Sequence, residues 1–324
     1  MKVCFLDNNK IPYTSNDIDS NQLRGAENIL INLSFELNKL GHEITIYNNC
    51  KQNIKINNIH WVNLNNINDD PQYDIAISNN DLRLFSKIKA SKHIAFSHSI
   101  QSIEKFIRKG QLLSYLKYKP KIVMLSNYHS KNRNKILKLF GSINLEWAVD
   151  EIFNSTIIND NIVENRAIFT SRRDRNLDIL IDIWKNFIFT KNKSLKLFVT
   201  PSNLIDNKYN IFKRSFGPKI LLIKDLLKSK VFLVPGHKGE LFCLAAEEAR
   251  ELCVPIVTLG IGSLSERVIH GKTGFIAKNN HEFAQYTLDI FNNDELWLKL
   301  RKNLMNLRGS KKWSLVALNL LKQI

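Results

Sequence analysis

The sequence is poor in cysteine, in long apolar runs and, over one segment, in acidic residues. Its 324 residues hold four cysteines, Cys4, Cys50, Cys243 and Cys253. They form no Cys-x-x-Cys pair, and with the scattered histidines they give no zinc spacing, which excludes a metal-stapled module. Cys4 and Cys243 fall in apolar runs and read as buried thiols, a usage that suits a reducing cytoplasm. No apolar run approaches the roughly 18 residues needed to span a bilayer. The opening Met1-Lys2-Val3-Cys4-Phe5-Leu6-Asp7 has an apolar run of four residues and reads as a first strand rather than a signal peptide. No internal repeat or low-complexity tract stands out beyond general richness in Asn and Lys. Aromatic residues do not interleave with basic ones as in single-strand binders, and no nucleic-acid motif appears, so no nucleic-acid partner is expected.

What is present is an ordinary globular composition, 44% hydrophobic and 24% charged, with a formal net charge of +17. The length suits two domains, each able to bury a substantial core. So large a positive charge asks for an anionic partner: nucleic acid, anionic lipid headgroups or phosphorylated small molecules. Its densest part runs from Lys87 to Lys138, where Glu104 is the only acid. There Ile103, Phe106, Ile107, Leu112, Leu113, Tyr115 and Leu116 alternate with cations, a pattern that suits either an anionic membrane surface or solubility plus core packing.

Taken in order, Val3 to Asp7 is a strand, and Asn8 to Leu23 is polar. Gly25-Ala26-Glu27 opens a segment of helical periodicity that stops at Gly41, and His42 to Tyr47 alternates as a second strand. That is a βαβ unit and predicts a parallel sheet. Ile59 to Leu64, Tyr73 to Ser78, Lys92 to His98 and Lys121 to Asn127 read as further strands. A second α/β unit starts near Asn165, with a strand at Arg166 to Thr170 and a helix at Leu177 to Phe187. The turn between them, Ser171-Arg172-Arg173-Asp174-Arg175-Asn176, carries three arginines, whose planar forks suit a diphosphate. Leu195 to Thr200 is a strand, Asn203 to Pro218 is polar and irregular, Glu282 to Leu307 reads as two helices, and Trp313 to Leu321 as a last one.

The most informative stretch follows Lys230-Val231-Phe232-Leu233-Val234-Pro235, a short buried strand closed by a Pro-Gly turn. Glu240 and Glu248 flank the start of a helix-forming run that ends near Leu252. If the helix begins at Glu240 the two lie roughly 80° apart on it; if not, Glu240 reaches over the helix N-terminus. Carboxylates accept hydrogen bonds from sugar hydroxyls and a helix N-terminus attracts phosphate. A nucleotide-sugar has both groups. The same residues also suit a solvated acidic helix start favoured by the dipole.

Glu240-Leu-Phe-Cys-Leu, Glu248-Ala, Cys253-Val-Pro-Ile-Val, Gly262-Ser-Leu-Ser-Glu266 and His270-Gly-Lys-Thr-Gly-Phe275 stand in one run of about forty residues. Together they resemble the donor-site block of retaining glycosyltransferases of family 4. Cys253 stands where that family usually has Gly, and Asn176 replaces a Gly in the arginine turn. The resemblance implies an α/β GT-B fold, two Rossmann-like domains with parallel sheets facing a central cleft. It divides the chain into an acceptor-binding domain at 1–160, a donor-binding domain at 161–304 and a helix at 305–324 crossing back. It implies transfer of a hexose from a UDP- or GDP-sugar to a hydroxyl of a glycan or lipid-linked acceptor, with retention, no metal, and the nucleotide-sugar as substrate rather than cofactor. By the same resemblance Glu248 holds the ribose and Glu240 contacts the sugar. The amides of Phe242, Cys243 and Leu244, with Arg172 and Arg175, hold the diphosphate. Gly25 lets the backbone approach it, and His98, not His93, approaches the reacting centre. The expected setting is cytoplasmic, with possible peripheral attachment to an anionic membrane face. A nucleotide-sugar epimerase of the same architecture and a basic nucleic-acid-binding protein are the alternatives.

Overall fold

Val3, Cys4, Phe5 and Leu6 are buried in succession, which a half-exposed strand would not allow; they belong to β1 (Lys2–Asp7), covered on both faces inside a parallel sheet. The structure is a computed structural model and describes residues 1–18, 23, 25–67, 71–159, 163–201 and 203–324. These form two compact units, Met1–Trp147 together with Trp313–Ile324, and Ala148–Lys312. Part of the polar stretch read between Asn8 and Leu23 lies outside the described residues.

In the first unit, α1 (Gly25–Lys39) leads from β1 to β2 (Glu43–Asn48). The sheet continues with β3 (Ile54–Ile56), β4 (Ile59–Asn63), β5 (Gln72–Asn79), β6 (Lys89–Phe96), β7 (Lys121–Met124) and β8 (Ser142–Asn144), in the order β3-β4-β2-β1-β5-β6-β7-β8. β3 is antiparallel to β4, and the other pairings are parallel. Three short helices follow β6 and β7: α2 (Ile103–Arg108), α3 (Leu112–Tyr118) and α4 (Asn127–Asn132). The chain leaves β1 toward β2 on one side and the sheet resumes at β5 on the other. The switch point therefore lies between β1 and β5, where Asp7 pairs in register with Asn79, and Asn79 in turn with Phe96.

The second unit opens with α5 (Glu151–Ser155) and holds a fully parallel sheet. Its strands are β9 (Glu164–Phe169), β10 (Lys196–Val199), β11 (Ile211–Lys213), β12 (Ser229–Leu233), β13 (Ile256–Thr258) and β14 (Gly274–Ile276), in the order β11-β10-β9-β12-β13-β14. Its helices are α6 (Leu177–Ile183), α7 (Lys219–Leu227), α8 (Leu244–Glu251), α9 (Asn280–Asn292) and α10 (Asp294–Leu307). Here the switch falls between β9 and β12, the strands that feed the arginine turn and the Glu240 loop. Phe169, Phe232 and Phe283 are wholly buried around that sheet, each contributing about 1.5–3 kcal/mol by leaving water. The polar segment at 203–218 holds one strand the sequence does not announce. β11 pairs with β10 over three residues at the sheet edge, too few for an alternation to show.

The boundary drawn from the sequence at 160/161 lies outside the described residues, but residues 148–159 belong with the second unit. Phe153 is buried in that unit's core, and Asp150 Oδ2 lies 2.5 Å from Lys219 Nζ. Residues 305–312 stay there too, because α10 continues to Leu307 and Arg308 donates to the carbonyls of Glu251, Phe153 and Asn154. The chain's last helix, Trp313–Gln323, then packs in the first unit, with Trp313 stacked on Trp147 at 6.0 Å.

Candidate functional site

The second unit's site starts at the loop that leaves β12. Gly236 (φ +99°) turns the chain, and the loop reaches Glu240 four residues before α8 begins. Glu240 is therefore a loop residue reaching over the helix N-terminus, the second of the two placements its spacing allows. The loop is held from behind by the Gly262–Ser263 turn. Ser263 N–H donates to the Glu240 carbonyl at 2.9 Å. Gly262 has φ +77°, and a Cβ there would stand 2.4 Å from the His237 carbonyl oxygen. That contact explains the glycine in this motif: only a residue without a Cβ lets the two loops touch.

The arginine turn meets this loop. Asn176 Nδ2 donates to the Gly236 carbonyl at 2.5 Å. Arg175 Nε lies 3.3 Å from Glu240 Oε2, and its Nη1 lies 3.3 Å from His237 Nδ1. The backbone N–H of Cys243 also donates to the Glu240 carboxylate. Burial raises the Glu240 pKa against the opposing pull of Arg175 and Arg172. Arg172 itself is exposed and pairs with Asp174 at 2.9 Å. The two arginines are thus unlike: Arg175 is built into the site, and Arg172 stands at its rim.

Cys243 caps α8 with φ +60°, its side chain accepts no bond from the helix's first turn, and Leu244 is the first helical residue. The Phe242 side chain points into protein, between Arg267 at 4.8 Å and Lys311 at 5.3 Å. Both cations also hold Glu247, with Nη1 and Nζ at 2.9 and 3.0 Å from its Oε1. Burial of Glu247 is outweighed by Arg250, Lys311 and Arg267, so its pKa is lowered. Its neighbour Glu248 is the opposite case. Among the described residues its carboxyl makes no hydrogen bond or ion pair. Burial raises its pKa to about 8, with Asp150 adding to the effect and Lys219 and Arg214 opposing it. A carboxyl without a hydrogen-bond partner among charged neighbours is open to ligand hydroxyls.

The first unit carries a second cluster at its switch point. His98 follows β6, and its Nε2 lies 2.9 Å from Asn79 Oδ1, while its backbone N–H donates to Asn80 Oδ1 at 3.2 Å. The Asn79 amide also donates to the Asp7 carboxylate, and Tyr13 Oη donates to Asp7 Oδ2 at 2.6 Å. Asn79 Oδ1 faces His98 and, as an amide oxygen, can only accept. The imidazole then carries its proton on Nε2 and offers Nδ1 as an acceptor. Burial lowers the His98 pKa to about 4, so the ring is neutral near pH 7. His93 instead packs between Phe85 and Tyr118, at 4.8 and 5.2 Å. Gly25 is the first residue of α1.

The second unit thus brings together Arg175, Glu240, the Cys243 amide and Glu248, with Arg172 beside them; His98 and Gly25 belong to the first. The structure adds His237 beside Arg175, then Asp150, Lys219 and Arg214 around Glu248, and Asn79 and Asp7 beside His98. His237 had a signal, since it stands in the turn leaving a buried strand. Asn79 and Asp7 also end strands. Asp150 had none, for it meets Lys219 only through the packing of a distant segment.

Residues 191–306 match the family model of glycosyl transferases group 1. This stretch is a glycosyl transferases group 1 domain. It holds Glu240 and Glu248, and the arginine turn lies just before it. The group 1 domain sits in a chain 27% identical over 194 residues to the capsular polysaccharide biosynthesis glycosyltransferase CapM of Staphylococcus aureus, covering 53% of this chain and 50% of that one. It is also 24% identical over 199 residues to glycosyltransferase MJ1178 of Methanocaldococcus jannaschii, over 56% and 53% of the two chains. The chain therefore spans about half the length of the curated relatives it matches. In structure it resembles sucrose-phosphate synthase of Thermosynechococcus elongatus, with TM-score 0.73, 11% identity, and 99% and 98% of the two chains covered. Against HepE of Anabaena in complex with UDP-glucose the TM-score is 0.71 at 13% identity, covering 100% and 99%. The fold is that of the GT-B glycosyltransferases.

Proposed function

We propose that the chain is a retaining hexosyltransferase of the family 4 type, moving a hexose from a UDP- or GDP-sugar to a hydroxyl of a glycan or lipid-linked acceptor. The observation that carries this reading is the Arg175–Glu240 contact over the start of α8, with the half-buried Glu248 carboxyl unpartnered on the same helix. The group 1 match across this helix supports it, as does the UDP-glucose bound by the structurally similar HepE.

In this reading Glu248 accepts from the ribose hydroxyls and Glu240 from the sugar. Arg175, with Arg172 and the amides from Phe242 to Leu244, faces the diphosphate. As the glycosidic bond breaks, negative charge builds on the leaving nucleotide, and these preorganised donors stabilise it. No step needs a metal. The first unit takes the acceptor, with His98 serving the reacting sugar and Gly25 giving backbone access to the diphosphate.

The test is incubation with a panel of UDP- and GDP-sugars, with and without a chelator, followed by analysis of the nucleotide. Release of free UDP or GDP that persists in chelator is expected. An intact nucleotide-sugar with an altered sugar indicates an epimerase and overturns transfer; activity lost in chelator and restored by Mn²⁺ overturns metal independence.

A further inference from the structure

The first unit contains a pocket that the donor chemistry does not use. Ser97 and Ser99, on either side of His98, line it together with Gln101, Lys105, Lys109 and Gln111, over an apolar floor that includes Phe96 and Phe106. Lys105 is turned inward and donates to Ser99 Oγ at 2.6 Å. Among the described residues neither Lys105 nor Lys109 pairs with a carboxylate. Burial, then repulsion from Lys109 and Arg108, lowers the Lys105 pKa. Cations crowded on an apolar floor lack a counter-charge.

The pocket's inner wall has unused donors. His129 Nδ1 accepts from the Leu125 N–H at 3.3 Å, so its Nε2–H donates to Gln101 Oε1 at 3.0 Å. That fixes the Gln101 amide, and its Nε2, on a side chain 2% exposed, is left without a partner. Next to this layer the Arg133 guanidinium is 4% exposed, with Nε and Nη1 also unpartnered. A buried, unpaired cation is costly and raises the local positive potential. Two lysines and two serines line this small space with the Gln101 amide in its wall, and a tetrahedral oxyanion offers acceptors to match them.

We propose that this pocket binds a phosphate group carried by the acceptor, seated beside His98. The inference rests on reading the first unit as the acceptor side. The group has two sources, a soluble sugar phosphate or a phospholipid-type headgroup.

The experiment titrates the 324-residue chain with inorganic phosphate and with glycerol 3-phosphate by calorimetry, with no nucleotide present. Three proteins are compared: the natural sequence, the Lys105→Gln/Lys109→Gln double variant, and Arg175→Ala. Saturable binding near about 1 mM is expected, unchanged in Arg175→Ala and at least tenfold weaker in the double variant. Lys109→Gln alone, at an exposed position, should weaken binding severalfold and serves if the double variant folds poorly. Absence of saturable binding overturns the proposal, as does binding indifferent to Lys105 and Lys109. Loss of binding in Arg175→Ala alone assigns phosphate to the donor loops, overturning the pocket and leaving the transferase reading intact. Vesicles containing phosphatidic acid separate the sources. Capture that glycerol 3-phosphate competes away, and that the double variant lacks, identifies a headgroup; phosphate binding that leaves capture unchanged identifies a soluble acceptor.

Discussion

Asn176 adopts φ +64°, Cys243 φ +60° and Cys253 φ +57°, left-handed conformations in which a glycine would be unstrained. Asn tolerates that conformation and here also bonds the Gly236 carbonyl. Asn176→Ala should cost about 1–2 kcal/mol from the backbone alone, more with the lost bond, whereas Asn176→Gly should stay near the natural stability; urea unfolding of the two variants compares them. Glu248 makes a second residue-scale prediction. Below about pH 8 the Glu248 carboxyl is neutral and each neutral hydrogen bond contributes about 0.5–1.5 kcal/mol, so Glu248→Ala should weaken UDP-sugar or GDP-sugar binding roughly twofold to tenfold. Unchanged affinity by calorimetry would remove Glu248 from the site. Its raised pKa also links stability to pH. Between the usual carboxyl range and about 8 the unfolded chain has lost this proton and the folded chain keeps it, so Glu248 makes the protein less stable as pH rises through that window. Glu248→Gln should therefore gain in Tm over the natural sequence at pH 8 and gain little at pH 5.

At the scale of elements, the donor loops form one assembly: the arginine turn, the Glu240 loop and the Gly262 turn. Gly262→Ala drives a Cβ against the His237 and Glu240 carbonyls, which must part. Its expected effect is a loss of donor turnover of tenfold or more with the helices retained by circular dichroism. A variant as active as the natural protein would show that this contact does not set the loop. Arg175→Ala should lower kcat more than it raises KM, because charge on the leaving diphosphate is greatest in the transition state, while Arg172→Ala, at the exposed rim, should be milder. These elements were legible in the sequence to different degrees. β12 and α8 were clear from a buried β-branched run followed by helix formers. β3, β8 and β11, three residues each, were not, because a strand so short shows no period.

For the whole molecule the governing quantity is charge. Lys105 is turned inward, so attachment to a membrane would fall to Arg108, Lys117, Lys135 and Lys138, near the exposed apolar side chains Ile107, Leu113, Ile136 and Leu139. Among the described residues no helix is long and apolar enough to cross a membrane. Each cation near an anionic surface contributes about 1 kcal/mol, and salt screens it. The protein should therefore sediment with anionic liposomes at low salt, release at high salt, and ignore neutral liposomes. Changing those four cations to Glu should abolish sedimentation while donor hydrolysis continues; a protein that stays in the supernatant at low salt refutes the attachment.

The sequence by itself determined two parallel α/β units, the strand–loop–helix around Glu240 and the arginine turn, because apolar runs, helix formers and glycines act locally. The choice of His98 over His93 rests on the resemblance to family 4 glycosyltransferases, not on any local pattern. Tertiary structure decided the rest. Only folding brings Asp150 and Lys219 beside Glu248, sets Arg175 rather than Arg172 against Glu240, and joins Asp7 to Asn79 and His98 across adjacent strand ends. It also moved the unit boundary from 160 to 147/148, since Phe153 finds its core through long-range packing that no local pattern encodes. Burial is likewise a property of the folded chain, and it shifts the Glu248 and His98 pKa values in opposite directions because one group loses its charge by protonation and the other by deprotonation.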